Sequence, residues 1–187
     1  MDKTQIDESL NDVSHIACAD ETNYNDGRFR GVSLVSCTKG DADRLRSELL
    51  EILSGSNVKE FKWKKLKSAQ YRFAAIKMVN FAIESALQSL LRIDTLTWDI
   101  EDRRHKMQGR DDAENLHRMY YHLFRNVLRT RWPNDSVWAL YPDEQSMIRW
   151  DEIEQFLGYK RTVIESSGDT LFDAGSLIVR LKTEFGI

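Results

Sequence analysis

A chain of 187 residues, 41% hydrophobic and 30% charged, has an ordinary globular composition and enough length to bury a sizeable core. A net charge of −3 and an isoelectric point near 5.8 exclude a generally basic protein that coats nucleic acid, though not a local basic groove. The polar N-terminus lacks the apolar core of a signal peptide, and no run reaches the ~18 apolar residues of a membrane span, so a soluble, cytoplasmic protein is expected.

Residues 1–13 read as a polar leader and residues 14–187 as a single α/β domain. The run His15-Ile16-Ala17-Cys18-Ala19 predicts a strand over 15–22, closing on Asp20 and Glu21. Asn23, Asn25, Asp26 and Gly27 carry hairpin-turn chemistry, and residues 29–37 form the returning strand. Pairing these two strands sets Cys18 opposite Ser33 rather than Cys37, so no disulfide is expected. Leu45, Leu49 and Ile52 mark a helix over 39–53, with Gly55 placed to stop it. The alternating segment 58–63 is either an edge strand or an extended loop.

Ser68 is a candidate cap for a long helix to about residue 91, with Phe73, Ile76, Val79, Ile83, Leu87 and Leu90 as one apolar stripe. Strand character returns over 93–100, followed by a charged loop. Asp111 with Glu114 three residues on predicts a capping box for a helix to residue 130. The run Val137-Trp138-Ala139-Leu140-Tyr141 predicts a central strand ending at Pro142-Asp143-Glu144, and a short helix over 146–157 precedes Gly158. Strands at 159–165 and 177–181 complete the order. A hairpin followed by strands alternating with helices predicts an α/β fold with a mixed sheet flanked by helices. The apolar ending Phe185-Gly186-Ile187 reads as a cut inside a domain.

The chemistry concentrates where strands end. Two acidic strand ends side by side would hold carboxylates a few ångströms apart, a repulsion that a cation relieves. Asp20 shares a strand face with Ile16 and Cys18, which makes it the inward, site-forming acid of its pair. Asp143 follows a proline that restricts its approach, although a helix-capping role is equally open. Asp99, Glu101 and Asp102 crowd a third strand end, where solvation is the simpler account. The basic run from Lys59 to Lys67, interleaved with Phe61 and Trp63, suits phosphate contact with a ring for base stacking, or else a lysine-protected edge strand. His117 and His122, five apart and with no cysteine nearby, do not make a zinc site.

The segments Ala19-Asp20-Glu21-Thr22, Glu60-Phe61-Lys62-Trp63 and Pro142-Asp143-Glu144, with a hairpin after the first and a long helix after the second, resemble a bacterial family, number 3800 among the domains of unknown function. The resemblance spans residues 16–163. Members open with an apolar strand ending in D-E-S, where this chain has Thr22, and carry an E-x-K-W-like segment. It implies a ribonuclease-H-like fold and matches Asp20, Glu60 and Asp143 to the family's acidic positions. Members continue into a Q-x-x-D-like helix with a last carboxylate, and this chain ends before such a segment.

Together these readings predict a metal-dependent nuclease-like domain that hydrolyses phosphodiesters with Mg²⁺ or Mn²⁺. Asp20, Glu60 and Asp143 serve as catalytic metal ligands, and Lys62, Trp63 and Lys64 contact nucleic acid. The competing reading is a non-catalytic interaction or scaffold module on the same fold, with a protein partner and no membrane.

Overall fold

The computed structural model describes residues 13–22, 27–133, 135–142, 148–157, 159–164 and 176–181. The elements run β1 (His15–Thr22), β2 (Phe29–Thr38), α1 (Lys39–Gly55), a 3-10 turn (Trp63–Lys65), α2 (Ala69–Leu87), β3 (Leu91–Asp99), α3 (Asp112–Thr130), β4 (Val137–Pro142), α4 (Trp150–Leu157), β5 (Tyr159–Ile164) and β6 (Ser176–Leu181). This is the mixed α/β arrangement that the sequence predicts. The leader, the turn at 23–26, the acids at 143–144 and the chain end lie outside the described residues. The chain divides into two compact units, one of residues 1–36 with 93–187 and one of residues 37–92.

The first unit is built on a sheet of order β3-β2-β1-β4-β6-β5. β1 runs parallel to β4, pairing His15 with Trp138, Ala17 with Leu140 and Ala19 with Pro142. β6 is antiparallel to both β4 and β5. Parallel neighbours need a long crossover, and β1 and β4 are far apart in sequence as that demands.

One sheet face is covered. Ala17, Ala19, Val32, Leu34, Trp98, Trp138 and Leu140 point into a core completed by Leu116, Tyr120, Phe124, Val127 and Leu128 of α3 and by Ile153 and Leu157 of α4. The alanines of β1 are small where the α3 aromatics are large, the complementarity that close packing requires. Trp150 closes the cluster edge-on to Tyr120, ring centroids 5.1 Å apart. On the opposite face Val13 and Ala139 form a second cluster with Ile16, Val137 and Tyr141. On that face Gly31 lies so close to its neighbours that an added Cβ would stand 3.0 Å from Thr22 Cγ2.

Helix ends mostly follow their expected chemistry, with informative departures. Asp111 accepts a hydrogen bond from the Glu114 backbone N–H at 2.9 Å, half of the predicted capping box. The Glu114 carboxylate turns instead to Arg149. Ser68 stands at the cap position of α2 but its side chain makes no capping bond. α1 runs through Gly55, and the left-handed residue after it is Asn57, a residue whose short polar side chain tolerates that conformation. The segment 58–63 is not a sheet strand.

In the second unit Val58, Tyr71 and Ala74 form the small core with Leu53 and Phe61. α2 buries Tyr71, Ala74, Ala75 and Ser85, so the stripe of large apolar residues evident in its sequence is the exposed side, not the buried one.

Phe124→Ala should cost about 3–5 kcal/mol in urea unfolding, because Phe124 is 1% exposed and its removal leaves a cavity in the α3 core. Tyr120→Phe, which deletes only a hydroxyl, should cost about 1 kcal/mol.

Candidate functional site

The ends of β1 and β4 come together as a consequence of sheet pairing. With Ala19 beside Pro142, the acidic residues that follow in each sequence leave from neighbouring strands. The covered face of β1 carries His15, Ala17 and Ala19, so Asp20 lies on the opposite face and is exposed. The expectation that Ile16, Cys18 and Asp20 form the inward face is therefore reversed. An unbroken apolar strand does not reveal which side is deeper, and here the small residues face the bulky helix. Glu21 turns toward α3 and accepts a 2.6 Å hydrogen bond from the Tyr120 hydroxyl. Asp143 lies outside the described residues.

Glu60 belongs to the second unit and is ion-paired with Lys62 at 3.0 Å. Trp63, 63% exposed, meets Phe61 edge-on at 4.9 Å, and Lys65 lies over the Tyr71 ring. Lys62 is half exposed and Lys64 exposed. The acids at the end of β3 are already neutralised. Arg28 shares its Nε–H between the two carboxylate oxygens of Asp99 and donates from Nη2 at 2.6 Å, and Arg104 holds Asp102 at 2.6 Å. Hydrogen bonds from Arg104 hold the Asp102 carboxyl well below the usual carboxylate range. Among the described residues no group of three or more His, Cys, Asp or Glu side chains is gathered so as to hold a metal ion.

A cleft of about 370 Å³ opens between α3 and α4, lined by Glu114, His117, Arg118, Tyr121, Arg149, Glu152 and Phe156. Arg149 bridges the two helices, 2.7 Å from Glu114 and 2.6 Å from Glu152. His117 is only 6% exposed, and neither ring nitrogen has a hydrogen-bond partner among the described residues. Its Nε2 stands 3.8 Å from Glu152. Burial, followed by the Arg149 charge, pushes this imidazole below its ordinary value, while Glu152 and Glu114 oppose the shift. Burial also lowers His15 and His122. This cleft escapes a reading by strand ends. The signal for it is the pair of three-residue spacings, Glu114 to His117 and Arg149 to Glu152, each setting two titratable groups on one helix face. Cys18 and Cys37 form no disulfide, and burial with the nearby Asp41 charge pushes the Cys37 thiol up to about 11, far from a nucleophile.

The chain is similar to two uncharacterised proteins of the archaeon Methanothermobacter thermautotrophicus. It is 38% identical to the protein designated ORF2' over 178 residues, 90% of this chain and 56% of that protein. It is 40% identical to ORF2 over 147 residues, 74% of this chain and 51% of that protein. The chain thus spans about half the length of the curated relatives it matches. No protein-family model matches, and no solved structure matches. The resemblance to the bacterial family 3800 is overturned by these findings, because the relatives are archaeal and no family model matches. No helix among the described residues is long and apolar enough to cross a membrane.

The three lowered histidines make acid destabilising. Each binds a proton more readily in the unfolded chain, so their contribution is complete above pH ~6.5 and is lost as pH falls below it toward the folded values. Urea midpoints should fall between pH 7 and pH 5, and by less in His117→Gln than in the wild type. An equal fall in both would assign the acid sensitivity to His15 and His122.

Proposed function

We propose that the carboxyl ends of β1 and β4 form a divalent-cation site for phosphodiester hydrolysis, with Asp20 and Asp143 as its ligands on a ribonuclease-H-like sheet. The observation that carries this reading is the parallel register that sets Ala19 beside Pro142. Adjacent strands lie about 4.8 Å apart, so acids leaving both at one level repel unless a cation joins them. Carboxylate oxygens are hard donors suited to Mg²⁺ or Mn²⁺. Two such ligands with solvent in the remaining positions are the arrangement Mg²⁺ takes when it also binds substrate phosphates. A bound ion supplies an activated water and steadies the leaving oxygen.

Asp20 is exposed on the sheet face opposite α3. Glu21 stays with Tyr120 and positions the strand end rather than the ion. Exposed Trp63 with Lys62 and Lys64 gives the second unit a surface suited to a nucleic-acid strand, the ring for a base and the amines for phosphate. Glu60, held by Lys62, is assigned there as an orienting partner of that lysine.

Calorimetric titration of Mn²⁺ into the chain, with Asp20→Asn and Asp143→Asn alongside, tests this reading. The expected outcome is binding by the wild type that each substitution weakens by about tenfold or more. Absence of binding in three folded proteins would overturn it, leaving the carboxylates as turn and cap residues of an interaction domain.

A further inference from the structure

We propose that α2 pairs antiparallel with α2 of a second copy of this chain. Phe73, Ile76, Ile83 and Leu87 are 50, 62, 54 and 81% exposed along one side of the helix. With Asn80 they occupy successive a and d positions of a heptad pattern: Phe73, Asn80 and Leu87 at a, Ile76 and Ile83 at d. Val79, also exposed, broadens the seam. The other side of the helix is buried, and there Tyr71 and Ala74 pack with Leu53, Val58 and Phe61 of the same unit. The seam is therefore surplus to the packing of that unit.

The flanking charges select the occupant and its direction. Lys77 and Glu84 stand at successive e positions, and Arg72 at a g position. In a parallel pair, g of one helix meets e of the next heptad in the other, which would set Arg72 against Lys77 of the partner subunit. In an antiparallel pair, e faces e, and Lys77 meets Glu84 of the partner subunit on both sides of the two-fold axis. The Lys77 ammonium already lies 4.3 Å from the centre of the Phe73 ring, placing the charge at the rim of the seam. An antiparallel two-fold is also the arrangement in which a single patch complements itself. Asn80 sits at an a position, which in an antiparallel pair faces a d residue of the other helix, so it lowers the stability of the seam. The seam is short, about two heptads, so association in the micromolar range is expected.

Sedimentation equilibrium on the full chain tests the pairing. The wild type should show a concentration-dependent dimer, and Ile76→Lys or Ile83→Lys should weaken it by about tenfold or more. Both positions are exposed, so these variants should retain the wild-type helical signal in circular dichroism. Lys77→Glu and Glu84→Lys should each weaken the dimer, and their combination should restore it, because the exchange rebuilds both ion pairs. A wild type that stays monomeric, a dimer indifferent to Ile83→Lys, or a double exchange no stronger than either single change would each overturn the proposal. The result does not depend on metal binding, which the Asp20→Asn chain checks by dimerising as the wild type does.

Discussion

The first unit depends on one contact, the aromatic face of α3 laid over the small residues of β1. Ala17 and Ala19 leave a shallow trough in the sheet, and Tyr120 and Phe124 fill it. Larger residues on β1 would lift the helix and open voids beneath it, and burying an aromatic ring is among the largest single gains a core offers. The same contact orients the strand end. Tyr120 reaches the last turn of β1 and takes Glu21 as its acceptor, so Glu21 turns to the helix side and Asp20 to the opposite face. The polarity of the strand end is thus decided by packing several residues upstream.

Much of the architecture is legible because the signals are local. The caps, the apolar period of α3 and the two long apolar strands each specify an element within a residue or two of where it lies. The faces are less legible. In β1 every residue from Ile16 to Ala19 is apolar or small, so alternation has no polar member to mark the outside. In α2 the stripe reads as a core face because its residues are large, yet the helix rests on its small side. Its buried residues include the small Ala74, Ala75 and Ser85, which a reading by size does not pick out. The α3–α4 cleft was hidden for another reason: its charged groups come from two segments more than thirty residues apart, and only the fold brings Arg149 to Glu114.

The acids of the chain fall into different electrostatic situations that sequence does not separate. Asp99 and Asp102 end β3 in a crowd of like charges, but each has an arginine in contact, so the crowd is already balanced. Glu114 and Glu152 share Arg149 in the same way. Glu60 has Lys62. An acid matched by a neighbouring cation has little left with which to attract a divalent ion.

The exposed side of α2 raises the opposite problem. Apolar surface in water costs roughly 25 cal/mol per Å², and a seam of four large side chains gathered on one helix forms a contiguous patch rather than scattered exposure. Packing a helix on its small side is a sound choice only if the large side meets something else, since turning it by half a revolution would bury more apolar area against the same neighbour. Ala74 and Ala75 are buried on that side, but side chains so small forgo most of that burial. A second helix with the same seam recovers the lost burial, and the alternation of lysine and glutamate along the rim gives it one orientation in which the charges attract.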